Sequence, residues 1–256
     1  MTILIDADYF LYKNAAACET EIDWGDDVIV VSSRFSDLQR NLTREIQKIQ
    51  DRFPEHDPIL FFSSPGNFRK EIDPEYKGQR NRKKPCGYVR AIDWMKTEYK
   101  VILMPTLEAD DALGIYQTSS AEDDIIISPD KDMRQIPGFL WDTVSEHISY
   151  ITPEGADRWH LVQSLSGDAT DGYSGCPSYG VKKATTILEK EGYTWATVVN
   201  CYLKQNLTED DALRNARLAR ILRSCDYDLE KQSPILWSPT PSDGTDHGAT
   251  LEGVGS

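Results

Sequence analysis

The chain reads as an α/β protein: a mostly parallel sheet flanked by helices over about the first 150 residues, then a helical part. Three observations predict this. Short apolar runs recur at residues 3–5, 58–62, 101–104 and 124–127, each followed by polar or helical sequence, which is the pattern of buried parallel strands in βα units. Past Pro153 the apolar spacing turns helical. The 256 residues, 39% hydrophobic and 27% charged, suit one large α/β domain or a core with a smaller companion.

Taken in order, Ile3-Leu4-Ile5 is the first strand. Residues 31–51 follow as a helix, because Phe35, Leu38, Leu42, Ile46 and Ile49 fall on one face. Residues 58–62, 101–104 and 124–127 supply the next three strands, and 139–141 and 149–151 are expected as edge strands. Helices are predicted at 154–165, 181–191, 196–205 and 209–224. The tail from residue 238 to 256 is rich in Pro, Ser, Thr and Gly without periodicity and is expected to be disordered. The organisation is therefore a core over 1–152 with a basic segment at about 68–90, a helical part over 153–237, and the tail 238–256. There is no internal repeat.

Composition excludes several classes. Five unpaired-looking cysteines with no C-x-x-C pair, and four scattered histidines, argue against a disulfide framework and against a Cys or His metal site. No apolar run approaches the roughly 20 residues of a membrane helix, and the start is not that of a signal peptide. A protein of a reducing compartment with no membrane partner is expected. The net charge of −14 speaks against a nucleic-acid partner at first sight, but its signs are segregated. Residues 19–27 hold five acids and no base, and residues 76–90 hold six basic residues and no acid. A basic island can still bind phosphate locally.

In open parallel sheets, sites lie at the carboxyl ends of the strands, and there this chain is acidic. The first strand ends in Asp6-Ala7-Asp8, the third leads into Glu108-Ala109-Asp110-Asp111, the fourth into Asp130-Lys131-Asp132, and a turn in the helical part carries Asp168 and Asp171. One Asp before a helix is an ordinary cap, and Asp-Gly marks turns. Three successive βα junctions with several acids each are harder to explain that way, since converging like charges repel unless a cation offsets them. An all-oxygen cluster selects Mg²⁺, with Mn²⁺ as substitute. Enough acids for two ions suggests a two-metal arrangement acting on a phosphodiester.

Tyr76, Lys77 and Arg80 follow the second strand and so project from the same sheet edge. Lys77 and Arg80 are candidates for balancing charge on a cleaved phosphate, and Tyr76 for stacking a base. Arg82, Lys83 and Lys84 are either further DNA contacts or a solvated loop. The stretch from Gly167 through Gly175 and Gly180 to Lys182 and Lys183 places glycines before a helix with lysines in its first turn, a backbone clamp for phosphate. Arginines at 214, 217, 220 and 223 form a stripe that reads more readily as a solvated helix face than as a DNA contact.

Together IDAD, FRKEIDPEYKGQR, LEADDALG, ISPDKD and LSGDATDGYSG…YGVKKA resemble the flap endonuclease/5′→3′ exonuclease superfamily, within it most closely the exonucleases of short-tailed bacteriophages, over roughly residues 1–237. The resemblance implies a Rossmann-like, PIN-type nuclease core, an arch carrying basic residues, and a helix–three-turn–helix that holds duplex DNA. It implies Asp6, Glu108, Asp110, Asp111, Asp130, Asp132, Asp168 and Asp171 as metal ligands, with Asp130 central to catalysis. Lys77 and Arg80 become catalytic arch residues, with Tyr76 beside them. Gly175, Gly180 and Lys182 match the DNA hairpin. The implied activity is metal-dependent 5′→3′ hydrolysis of duplex DNA, together with RNA removal from RNA–DNA hybrids during phage replication. It would act in the cytoplasm of an infected bacterium, alongside phage replication proteins.

Two departures stand out. The family usually carries an Asp after the second strand, where this chain has Ser63-Ser64, and Ser178 replaces a usual glycine. A 5′ flap endonuclease is an alternative. From other classes, a HAD-like phosphatase would use Asp6 as nucleophile and Asp8 as acid/base, and a non-catalytic DNA-binding protein would be a decayed relative.

Overall fold

The computed structural model describes residues 2–79, 83–120 and 124–239. Arg80, Arg82 and nearly all of the tail lie outside them. The first compact unit comprises Met1–Asp157 and Ile221–Ile235, and the second comprises Arg158–Arg220 with Leu236–Ser256.

In chain order the first unit contains β1 (Ile3–Asp6), α1 (Ala7–Ala17), β2 (Glu19–Asp23), β3 (Ile29–Ser33), α2 (Phe35–Arg52), β4 (Pro58–Phe61), α3 (Arg69–Ile72), α4 (Tyr88–Glu98), β5 (Lys100–Ile102), α5 (Ala109–Ser119), β6 (Ile125–Ser128), β7 (Gly138–Asp142) and β8 (His147–Ile151). The sheet order is β5-β4-β1-β6-β7-β8. Every neighbouring pair is parallel except β7 and β8, which form a hairpin. β1, β4 and β6 are buried along their whole length, which is why they read as continuous apolar runs rather than alternating ones. One layer of core packs α1, α2 and α4 through Leu11, Leu38, Leu42, Ile46 and Met95. The other packs α5 through Ala109, Ala112 and Leu113 against Leu4, Ile59 and Ile126.

Three expectations are corrected. β7 is interior, between β6 and β8, so of the two expected edge strands β8 alone is one, and the opposite edge is β5. The helix expected from residue 31 begins at Phe35, because Val31 pairs with Glu21 in an antiparallel β2–β3 hairpin absent from the sequence reading. The helix expected to reach residue 224 ends at Ala219, and residues 221–235 return to the first unit. There Leu222 packs with Phe68, Leu107, Ile115 and Tyr227. Gly114 permits this approach, since a Cβ on it would lie 2.2 Å from the Leu222 carbonyl oxygen.

The second unit is helical. The end of α6 (Pro153–Ser166), α7 (Val181–Glu191), α8 (Trp195–Leu203) and α9 (Glu209–Ala219) surround Leu165, Leu188, Trp195, Val198, Tyr202 and Ala216. Thr194 caps α8, and a Thr208–Asp211 capping box starts α9. Among the described residues no helix is long and apolar enough to cross a membrane.

Candidate active site

The site is built at the carboxyl ends of β1 and β6 and the amino end of α5. Asp6 is the last residue of β1, which lies between β4 and β6, so its side chain stands in the middle of the sheet edge. Ser128, ending β6, donates to Asp6 Oδ2 at 2.8 Å, and the Asp130 N–H donates to Ser128 Oγ at 3.1 Å. Asp130 in turn accepts from the Asp132 N–H at 2.9 Å and caps the short helical turn that follows.

Asp6 and Asp110 carry the electrostatic strain of the site. Burial raises Asp6 to about 7; the Ser128 hydrogen bond opposes this, and the neighbouring Asp8 and Asp130 carboxylates add to it. Asp110 is pushed well above the usual carboxylate range by burial, then by Asp6, Asp130 and Glu108. Carboxylates from three separated stretches therefore do feel one another.

Glu108 shows the opposite behaviour. Burial alone would raise it, but the Lys77 ammonium and the Arg69 guanidinium overcome that and hold it at about 2. Its Oε1 pairs with Lys77 Nζ, and its Oε2 accepts from Tyr76 OH at 3.0 Å and Arg69 Nη1 at 3.2 Å. Lys77 reaches it from a left-handed backbone, φ +54°, a conformation rarely occupied by residues other than glycine.

Arg69 is the residue sequence reasoning missed. It is only 3% exposed and forms a bidentate pair with the fully buried Asp111, at 2.7 and 2.8 Å. Asp111 also accepts from the Leu222 and Glu108 N–H groups, so both its oxygens face protein donors. The signal was the FRKE sequence seven residues before Tyr76, but a lone arginine in a basic segment gives no hint of burial.

Tyr76 is corrected. It is 2% exposed, with Arg69 and Lys77 over its ring and its hydroxyl on Glu108. Its face is covered and cannot stack on a base. Lys83 and Lys84 are exposed, and Lys84 lies 4.2 Å from the Tyr88 ring centroid.

Asp8 and the serines are structural fasteners. Asp8 accepts from Tyr88 OH at 2.7 Å and from the Ser63 N–H at 2.8 Å. Ser63 Oγ accepts from the Ala109 N–H at 3.0 Å, tying the end of β4 to the start of α5. With both oxygens occupied, Asp8 is not placed as the acid/base that the phosphatase alternative needs.

No three His, Cys, Asp or Glu side chains form a ready-made metal group among the described residues. The reason is visible in the pairing, because Glu108, Asp111 and Asp8 are turned onto protein donors. The donor chemistry nevertheless fits a hard divalent cation. Asp6 is buried and Asp110 half-buried, and both are destabilised by acidic neighbours; the two positive charges of a divalent ion would relieve that repulsion.

In the second unit, Asp168 and Asp171 lie in the turn after α6. Asp168 Oδ1 accepts from the Thr170 N–H at 2.7 Å, and Asp168 bridges to Tyr173. The flanking Gly167 and Gly175, both at positive φ, touch backbone to backbone; a Cβ on Gly175 would lie 2.3 Å from the Gly167 nitrogen. The Gly175 N–H donates to Asn215 Oδ1 at 3.0 Å. Gly180 is the N-cap of α7, with open space around it, and Lys182 and Lys183 are exposed in its first turn. Ser178 sits at φ +68°, so the glycine usual there has a conformational reason.

The arginine stripe is not a single solvated face. Arg214 is exposed, but Arg220 and Arg223 are buried beyond the end of α9. Arg223 pairs with Asp157 at 2.7 Å and donates to the Gln135 carbonyl.

Residues 1–156 match the family described as "5'-3' exonuclease, N-terminal resolvase-like domain". The chain is 29% identical to the exonuclease of Escherichia phage T7 over 280 aligned positions, covering 93% of each protein. It is equally similar to the exodeoxyribonuclease of Enterobacteria phage T3, covering 93% of this chain and 92% of that one. Among solved structures, the bacteriophage T5 flap endonuclease in complex with DNA and metal ions superposes with a TM-score of 0.64 at 16% identity, covering 85% of this chain and 88% of that one.

Proposed function

Because the chain belongs to the 5′-3′ exonuclease family, we propose that the carboxylate cluster at the β1, β6 and α5 ends is where it cuts phosphodiester bonds. The protein is a hydrolase, a 5′→3′ exonuclease. The observation that carries the site assignment is the gathering of acids on the rim where open α/β sheets bind ligands: Asp6 is joined through Ser128 to the Asp130 backbone, Asp8 and Asp130 raise Asp6, and Asp6, Asp130 and Glu108 raise Asp110.

Asp6, Asp110, Asp130 and Asp132 are assigned as holding divalent metal in the first unit, with Glu108 joining them when it leaves Lys77. Asp168 and Asp171, within the second unit, are assigned as metal-holding acids as well. Mg²⁺ is the expected ion, two per site, with Mn²⁺ able to replace it. Bound there, such ions supply an activated water and a charge to offset the leaving 3′ oxygen. Asp111, expected above as a ligand, is assigned instead to orienting Glu108 through Arg69.

Lys77 supplies positive charge to the scissile phosphate once substrate draws it from Glu108, and Arg80 follows it in the same segment. Lys182, Lys183 and the backbone around Gly175 and Gly180 hold duplex phosphates without reading bases. Lys83 and Lys84, with Arg82, add non-specific attraction. Duplex DNA with free 5′ ends is the assigned substrate, and RNA–DNA hybrids a second one. The setting is phage DNA replication within the host cytoplasm.

The test is a time course on 5′-labelled and 3′-labelled duplexes with Mg²⁺, using wild type and Asp130→Ala. Early release of short 5′-labelled products, lost in the variant while duplex binding in Ca²⁺ persists, is expected. Release from the 3′ end first, or near wild-type turnover of Asp130→Ala, would sink the assignment. A 5′-flapped substrate in the same series separates flap cutting from end digestion.

A further inference from the structure

The β2–β3 hairpin plays no part in the site above, and it is built unlike the rest of the molecule. Directly paired residues share a face, so the register Thr20–Ser32, Ile22–Val30, continued by Trp24 and Val28 at the turn, sets Ile22, Trp24, Val28 and Val30 side by side. All four are exposed, Trp24 by 72%. The opposite face carries Glu19, Glu21 and Asp23 across from Ser33, Val31 and Ile29. Asp26 and Asp27 occupy the turn at positive φ.

The base of the hairpin is fastened. Glu19 Oε1 accepts from the Cys86 N–H at 2.7 Å, next to the start of α4. Trp24 makes no ring contact and no side-chain hydrogen bond among the described residues. Among the described residues no third strand pairs with β2 or β3; the Val31 carbonyl of β3 accepts from Cys86 Sγ at 3.7 Å, which leaves the outer edge of β2 as the open one. A contiguous apolar strip with an open edge is what soluble proteins normally blunt.

We propose that this hairpin is a docking surface for a basic, apolar segment of another protein. The charge selects the occupant. Residues 19–27 hold five acids and no base, so nucleic acid and anionic membrane are repelled. A second copy of the chain would set the same five acids against each other on a molecule of net charge −14. A segment alternating lysine or arginine with aliphatic side chains meets both features: its apolar side covers Ile22, Trp24, Val28 and Val30, and its cations face Glu21, Asp23, Asp26 and Asp27. Strand addition to an open edge supplies the backbone pairing.

The test uses the full chain and a fluorescein-labelled peptide of alternating lysine and valine, read by anisotropy, against an alternating glutamate–valine peptide. Saturable binding of the lysine peptide alone is expected. It should weaken on the order of tenfold or more in Trp24→Ser/Val28→Ser, where an aromatic anchor is lost, and similarly in Asp23→Lys/Asp26→Lys/Asp27→Lys. Glu230→Lys, an exposed acid elsewhere, should leave it unchanged, as should cleavage of naked duplex by every variant. Circular dichroism confirms that each variant is folded. No saturable binding, or binding that survives both hairpin variants, overturns the proposal. Altered duplex binding in the hairpin variants would instead make this a DNA surface. A concentration-dependent dimer abolished by Trp24→Ser would make it a self-association surface.

Discussion

Replacing Arg69 with methionine isolates the interaction that supports the acidic cluster. The bonds of the guanidinium include charge-assisted ones at 2.7 and 2.8 Å to Asp111 and at 3.2 Å to Glu108. Arg69 is 3% exposed and Asp111 fully buried, so water cannot replace what is lost. Breaking a buried pair by removing one partner costs about 3–5 kcal/mol. The lower end applies here, about 3 kcal/mol, because Asp111 keeps the Leu222 and Glu108 N–H donors. Urea denaturation in EDTA of wild type, Arg69→Met, Asp111→Leu and the double variant gives the coupling directly. The double variant should recover much of the loss, since an apolar pair of similar volume tolerates burial. A loss below about 1 kcal/mol at neutral pH, or a coupling near zero, would refute the reasoning.

Asp6, raised to about 7, binds a proton more tightly folded than unfolded, so it contributes stability below its ordinary pKa of 3.8 that is lost as pH rises toward 7. Glu108, lowered to about 2, contributes stability above its ordinary value that is lost as pH falls toward 2. In EDTA, Asp6→Asn should therefore flatten the decline in urea midpoint between pH 4 and 7 and leave the acid limb in place; an unchanged decline would remove Asp6 as its cause. Ser178→Gly relieves a left-handed serine at φ +68° and should stabilise by up to about 1 kcal/mol, whereas Gly175→Ala places a Cβ 2.3 Å from the Gly167 nitrogen and should destabilise by more. Thermal melts in which neither changes would contradict the hairpin geometry. Lys182→Ala/Lys183→Ala should shallow the salt dependence of duplex binding in Ca²⁺ by up to about two phosphate contacts and slow cleavage of long duplexes more than of very short ones; an unmoved slope would take the hairpin out of DNA binding.

Features that repeat locally or depend on residue type are legible along the chain. Ile3-Leu4-Ile5 and the run at 125–128 had to be buried strands, because both faces are apolar. Acids at three strand ends had to converge, because parallel strands put their carboxyl ends on one edge. α7 has the expected bounds, Val181–Glu191, since Gly180 and Gly192 bracket it. Which side chain meets which is set by the folded arrangement. Arg69 and Tyr76 sit in a segment that reads as solvated and basic, yet both are buried, because Glu108 and Asp111 approach from a helix more than 30 residues away. Arg220 and Arg223 kept the spacing of a helical stripe while the chain left the helix, drawn back by Asp111, Gln135 and Asp157. The β2–β3 hairpin was hidden because its apolar strand runs straight into an amphipathic helix, and pairing with an acidic strand leaves no mark on hydrophobic periodicity. Long-range pairing of charges depends on distance in space, and spacing along the chain carries no record of it.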